Sequence, residues 1–391
     1  MTEERYTRLA AIDWWDGARV GAARAIVAGA GALGNEVVKN LVLLGWGTIV
    51  VVDHDSVELS NLTRSVFFRD LDVGRPKAEV LSERAHEFNP DCEVVGLAGD
   101  LRIMLSAGLV RRSDVVFGCL DNLAGRVALG QMSGRAGRLM IDGGLTTWEG
   151  TIQLYGPDAG GPCFACGLTE DDLQELTLRQ SCLAYDQRAR AAGGIPTTPT
   201  VTSVTAALMV QEALKWIHQD LHDQPVALGR ELRVDLANSR FWNHAIPVND
   251  DCVLHWAPAT LAIHEPPRWD SSWRDIVKMC RLSAGTETAS LRLPARILAR
   301  LDCPHCGLVD DTVRAYAGDG RVPCGNCGHD GIPTFTSQVD GNEDWADRSP
   351  AELGFPPWTW VELRTGEDEW TFEMAGSRLP YDLVERVTIP W

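Results

Sequence analysis

The sequence predicts a doubly wound α/β domain followed by a C-terminal zinc ribbon and a small β appendage. Three observations point there. Between residues 24 and 155, short apolar runs rich in Val and Ile alternate with amphipathic stretches, the pattern of strand-helix-strand units in a mostly parallel sheet. A GAGALG turn joins the first apolar run to the first amphipathic stretch. Near the C-terminal end stand two Cys-x-x-Cys pairs, Cys303/Cys306 and Cys324/Cys327.

The elements follow in order. Residues 24–28 read as a buried strand, 35–44 as a helix and 48–52 as the next strand. Further strands are expected at 93–97, 114–118, 139–141 and 151–155, with a helix over 76–88. From 156 to 199 the periodicity fades and Gly, Pro, Asp and Arg rise, which predicts a long crossing loop with its own short helix. Residues 200–218 read as a long helix with Thr200 or Thr202 as its cap and Val204, Leu208, Ala213 and Trp216 on one face. These elements place the first domain at residues 1–255. A linker or helical segment is expected at 256–300, the ribbon at 301–330, and at 331–391 a β appendage whose TGEDE turn signals a hairpin.

Composition limits the function. The chain has 391 residues, 45% of them apolar, with 36 Lys and Arg against 54 Asp and Glu, a net charge of −18. Such an acidic balance lacks the basic footprint of a nucleic-acid or membrane-surface binder. No apolar run reaches the roughly 18 residues of a membrane span, and the N-terminal segment lacks a secretory pattern, so a cytoplasmic protein is expected. Eleven cysteines in that compartment point to metal or catalysis more than to disulfides.

Gly29, Gly31 and Gly34 sit between a strand and a helix, where missing side chains let the backbone approach a phosphate at the helix N-terminus. Asp53 ends the second strand, where a carboxylate commonly holds a ribose hydroxyl. Taken alone, these residues also fit an NAD-binding Rossmann domain.

The residues beyond Asp53 do not suit a dehydrogenase. They comprise Asp53-His54-Asp55-Ser56-Val57-Glu58-Leu59-Ser60-Asn61-Leu62-Thr63-Arg64, then Gly74-Arg75-Pro76-Lys77, then Cys119-Leu120-Asp121-Asn122. With Arg5-Tyr6-Thr7-Arg8 before the first strand, Asp142-Gly143-Gly144 with Gly150 past the fifth, and Cys163-Phe164-Ala165-Cys166 beyond, this order resembles the ubiquitin-activating and ThiF-type adenylyltransferase superfamily. The resemblance runs from about Arg5 to His255, and its layout is similar to activating enzymes of prokaryotic ubiquitin-like conjugation systems. It implies a Rossmann-like adenylation domain that uses ATP and Mg²⁺ on the C-terminal carboxylate of a ubiquitin-like or sulfur-carrier β-grasp protein. It also implies roles for residues: Asp53 at the ribose, Asn61 facing the phosphates, Arg64 and Lys77 as cations, Asp121 at the magnesium, Asp55 and Asn122 among the nucleotide-binding residues, and Arg8 reaching the ATP of a partner subunit in a homodimer. Leu9 stands where relatives usually carry Gln. Such chemistry needs cations and a metal, since negative charge develops on the phosphate oxygens as pyrophosphate leaves.

The spacing of Cys303, Cys306, Cys324 and Cys327 suits a tetrahedral zinc ribbon. By resemblance, Cys163 and Cys166 are half of a second zinc site; Cys252 and His255 occupy the place of the other half, as Cys-x-x-His. The rival pairing joins Cys163 and Cys166 to one C-terminal knuckle. Cys182 lies in the segment where relatives that form a thioester carry the acceptor cysteine, and a thiolate is the nucleophile suited to an acyl-phosphate anhydride. Cys92, Cys119 and Cys280 read as packing residues.

The reading is therefore an activating enzyme that adenylates its carrier, captures it on Cys182 and passes it to a conjugating enzyme. The alternatives are a sulfur-carrier adenylyltransferase without an essential thioester, and a catalytically silent zinc-bearing scaffold. A tRNA-modifying branch is disfavoured by the charge.

Overall fold

The computed structural model describes residues 5–181, 196–262, 266–318, 320–366 and 368–376. They form two compact units, Met1–Leu101 with Val110–Pro258, and Arg102–Leu109 with Ala259–Trp391. Among the described residues no helix is long and apolar enough to cross a membrane.

The first unit is built on β1 (Arg24–Ala28), β2 (Thr48–Asp53), β3 (Glu93–Ala98), β4 (Val115–Gly118), β5 (Leu139–Leu145), β6 (Glu149–Tyr155), β7 (Arg230–Asp235) and β8 (Arg240–Ala245). They form one sheet in the order β3-β2-β1-β4-β5-β6-β7-β8, the first five parallel and the last three antiparallel. The chain leaves β1 toward β2 and β3, then returns to place β4 on the other side of β1. The order reverses at the C-terminal ends of β1 and β4, the switch point at which doubly wound sheets bind their ligands.

Its helices are α1 (Gly17–Ala22), α2 (Ala32–Leu44), α3 (Lys77–Phe88), the short α4 (Leu101–Met104) and α5 (Ala107–Arg111), α6 (Leu123–Arg135), α7 (Glu170–Ser181) and α8 (Pro199–Ile217), with α4 and α5 straddling the two units. Helix α2 ends on Gly45 in the left-handed region (φ 77°), whose N–H closes on the carbonyls of Leu41 and Val42. Helix α8 starts one residue before the sequence suggests. Its cap is Thr198 rather than Thr200 or Thr202, because Pro199 takes the first helical position and the Thr198 hydroxyl accepts from the Val201 N–H. Val37, Val38 and Leu41 of α2 and Met209, Val210 and Ala213 of α8 share one fully apolar core with the sheet.

The second unit is organised by one long strand. β9 (Leu291–Asp302) pairs antiparallel with β10 (Val309–Asp310), β11 (Arg314–Tyr316), β12 (Ile332–Val339) and β13 (Trp360–Thr365), and β13 closes a hairpin with β14 (Asp368–Glu373). The stretch 291–300, read from sequence as linker or helix, is therefore strand, and the ribbon and the appendage share its sheet. Its burial alternates only at first and is broken by bulges opposite β12, which hides the period of two. Helix α9 (Trp273–Ala284) buries Trp273, Ile276, Val277 and Cys280 against Leu291, Ile297, Val361 and Leu363.

Candidate functional site

Gly29 has φ 101°, and a Cβ there would lie 2.3 Å from the Cys119 carbonyl oxygen; a Cβ on Gly34 would lie 1.9 Å from the Gly29 carbonyl oxygen. Both glycines thus let backbone pack on backbone. Gly31 differs: nothing lies within 4 Å of its Cβ position, and it opens α2 with no side-chain cap. Helix α2 therefore begins at open space with unpaired N–H groups, the requirement for an anion site.

The loop is held from both sides. Asn35, fully buried, donates from Nδ2 to the carbonyls of Ala30 (2.8 Å) and Gly31 (3.1 Å) and accepts at Oδ1 from the Phe67 N–H (3.2 Å). Asp53, at the end of β2, accepts the Ala30 N–H (2.6 Å) on one oxygen and the Asp55 N–H (2.7 Å) on the other. Each of those oxygens keeps a lone pair for a further donor. Burial raises the Asp53 pKa, opposed by Lys77 and by these two N–H groups.

The buried Lys77 Nζ donates to Asp55 Oδ2 at 2.7 Å, and its N–H bonds the Asp55 carbonyl. Burial raises Asp55, but the Lys77 hydrogen bond and charge outweigh it and hold that carboxyl below its ordinary value. The Arg75 carbonyl accepts from the Val57 N–H, which fixes this stretch against residues 55–57. Asn61 is buried in a 3₁₀ turn, Leu59–Asn61, its Oδ1 taking the Glu58 N–H (2.9 Å). Arg64 is half-buried, one guanidinium nitrogen donating to the Ser60 carbonyl at 3.0 Å.

Asp121 is exposed on the turn after β4. Asn122, expected among the nucleotide-binding residues, spends its Oδ1 as the N-cap of α6 (2.8 Å from the Gly125 N–H). Arg8 is exposed near the N-terminal end. Cys182 lies outside the described residues.

Two clusters have the donors and spacing of metal sites. Cys163, Cys166, Cys252 and His255 bring their ligand atoms within 4.8 Å of one another, as do Cys303, Cys306, Cys324 and Cys327. Neighbouring contacts are 3.6 Å (Cys163–Cys166), 3.8 Å (Cys163–Cys252) and 3.4 Å (Cys166 Sγ to His255 Nδ1), and 3.6 Å for both Cys303–Cys327 and Cys306–Cys324. Tetrahedral zinc with Zn–S of about 2.3 Å requires sulfur pairs roughly 3.8 Å apart, so both donor sets fit it. The mixed grouping excludes the rival pairing of knuckles. His255 Nε2 lies 3.0 Å from the Ala159 carbonyl, which leaves Nδ1 as the ligating nitrogen. Hydrogen bonds from Asn326 and the Leu308 N–H hold the Cys306 thiol down at about 6. By contrast, burial pushes Cys92 and Cys280 up to about 12, which suits packing residues.

Sequence reasoning missed Asn35, whose signal is a polar residue on the apolar face of α2, and Arg126, a cation in α6 that reaches Asp142 on β5 at 2.5 Å.

The profile of the ThiF family matches residues 5–254. Over 148 residues the chain is 36% identical to the "SAMP-activating enzyme E1" of Haloferax volcanii, a stretch covering 38% of this chain and 54% of that protein. Over 141 residues it is 31% identical to the "Sulfur carrier protein ThiS adenylyltransferase" of Escherichia coli, covering 36% and 56%. A crystal structure of E. coli MccB with succinimide superposes with a TM-score of 0.51 at 22% identity, covering 64% of this chain and 74% of that one, a likeness of fold. The chain spans only about half the length of these two curated relatives.

Proposed function

Because this chain belongs to the ThiF family, we propose that it adenylates the C-terminal carboxylate of a small ubiquitin-like or sulfur-carrier β-grasp protein, using ATP and Mg²⁺. The observation that carries the reading is the open N-terminus of α2 at Gly31, with Asp53 and the buried Lys77 anchored to the same loop region.

A carboxylate oxygen of the carrier attacks the α-phosphorus, and the bond to the bridging oxygen breaks as its electron pair leaves with pyrophosphate. The unpaired N–H groups of α2 receive phosphate oxygens. Lys77 and Arg64 neutralise the charge that develops on them. Asp53 accepts from ribose hydroxyls, Asn61 faces the phosphates, and Arg8 completes the site of a second copy in a homodimer. Asp121 would hold the Mg²⁺, which supplies charge neutralisation on the departing phosphates. The Cys182 thiolate then attacks the acyl carbon, expels AMP and leaves a thioester for a conjugating enzyme. The basis for Cys182 is its place in the sequence. Each Cys/His cluster holds one structural zinc.

The second reading is adenylation for sulfur delivery, without an essential thioester; the name of the E. coli relative favours it. The test is ATP–pyrophosphate exchange by the full chain with β-grasp proteins ending in Gly-Gly. The proposal expects exchange only when a carrier is present, and its absence with carriers of both kinds would overturn it.

A further inference from the structure

We infer that Arg126 is a positioning residue: it clamps the turn that presents Asp121, and so sets the Mg²⁺ requirement of the reaction. This rests on the reading of Asp121 as the magnesium carboxylate.

Arg126 stands one turn into α6, and its guanidinium is largely covered. Nε and Nη2 both donate to the Leu120 carbonyl, at 3.0 and 2.6 Å, Nη1 donates to Asp142 Oδ2 at 2.5 Å, and Nη2 also reaches the Gly143 carbonyl at 2.9 Å. One side chain therefore ties the residue before Asp121 to two consecutive residues of β5. The rest of the turn is fixed as well. The Cys119 N–H bonds the Ala28 carbonyl (2.8 Å), and Asn122 is committed to capping α6. Asp121 projects to solvent, and among the described residues the Asn122 amide lies near it, at 3.4 Å.

The anchor is costly, which argues that its geometry matters. Asp142 is 1% exposed, and its Oδ1 has no hydrogen-bond partner among the described residues. That oxygen is packed so closely that a Cβ on Gly118 would lie 2.3 Å from it. An apolar pair would serve packing better than a half-satisfied buried carboxylate. What the ion pair adds is a rigid, directional hold on the Leu120 carbonyl. Because the Cys119 carbonyl also abuts Gly29, the same clamp fixes the carboxylate turn relative to the glycine loop. A metal carboxylate whose supporting groups are removed typically loses about 10- to 100-fold in metal affinity.

The test compares wild type, Arg126→Ala and Arg126→Lys as full chains. Lysine can still pair with Asp142 but cannot span Leu120 and Gly143 together. Three readouts are needed: the Mg²⁺ concentration for half-maximal exchange, AMP affinity by calorimetry without metal, and the melting temperature. The expected result is a rise of about 10-fold or more in the Mg²⁺ requirement for both variants, with AMP affinity within about twofold of wild type. An unchanged Mg²⁺ requirement overturns the inference, as does parallel loss of AMP binding and exchange, which marks a purely structural role. If Arg126→Ala does not fold, Arg126→Lys carries the same decision. Absence of carrier-dependent exchange in the wild type, with AMP bound normally, would instead sink the adenylation reading.

Discussion

Asn35 is surrounded by the apolar residues of α2, yet both of its Nδ2 donors and its Oδ1 are used to hold the glycine loop to Phe67. Asn35→Ala removes the side-chain partner of the Ala30 carbonyl and of the Phe67 N–H, each costing about 1–3 kcal/mol if left unsatisfied, while the Gly31 carbonyl keeps the helical bond from the residue-35 N–H. The expected outcome is a lower melting temperature together with weaker Mg·ATP binding, both measurable on the purified chain. Asn35→Asp keeps the shape but loses both donors, and should weaken nucleotide binding comparably. Asp142 gives a prediction of a different kind. Burial pushes it up to about 6 against the pull of Arg126, with Cys119 and Tyr155 the other titratable neighbours in its field. The folded state thus holds that proton more tightly than the unfolded chain does. Its contribution to stability is fully present below about pH 4 and is lost as pH rises through about 6. Thermal melts of wild type and Asp142→Asn across that window should show the wild type losing ground as pH rises; a constant difference would mean that Asp142 does not titrate there.

At the level of elements, the turn between β1 and α2 separates packing from binding. Gly34→Ala must drive a methyl group into the Gly29 carbonyl, whereas Gly31→Ala enters open space at an ordinary φ of −71°. The first variant should melt lower and bind Mg·ATP poorly. The second should melt like wild type and still lose affinity, because its methyl occupies the place assigned to a phosphate. Wild-type affinity in Gly31→Ala would remove the phosphate from the end of α2. This turn was readable from sequence because steric necessity leaves only glycine at positions 29 and 34, and β1, β2 and β4 were readable because both their faces are buried in apolar side chains. The β7–β8 hairpin was not foreseen. β8 is an edge strand exposed along nearly its whole length, so its sequence, Arg-Phe-Trp-Asn-His-Ala, carries no alternation. β9 was missed for a related reason, since bulges interrupt its period. Among site residues, those at glycine turns and in Cys-x-x-Cys pairs were legible. Arg126 was not, because its partners Leu120 and Gly143 are backbone carbonyls that no sequence pattern marks.

For the whole molecule, the two metal clusters belong to different units, and this separates folding from chemistry. Cys306→Ala and Cys252→Ala should each lower bound zinc from two ions to one per chain. Only Cys252→Ala should depress carrier-dependent exchange, since its cluster packs with Trp256 in the same unit as the nucleotide loop. The same logic isolates the acceptor step. Adenylation as proposed does not use the Cys182 thiol, so Cys182→Ala should retain carrier-dependent pyrophosphate exchange at close to the wild-type rate. The thioester needs a thiolate, so that variant should lose any covalent carrier adduct that reducing agent releases. Exchange with the adduct abolished assigns Cys182 as the acceptor. An adduct that survives in Cys182→Ala assigns the acyl group to another residue. A wild-type chain that exchanges without forming any adduct identifies sulfur delivery as the outcome, because the carrier then leaves as its adenylate.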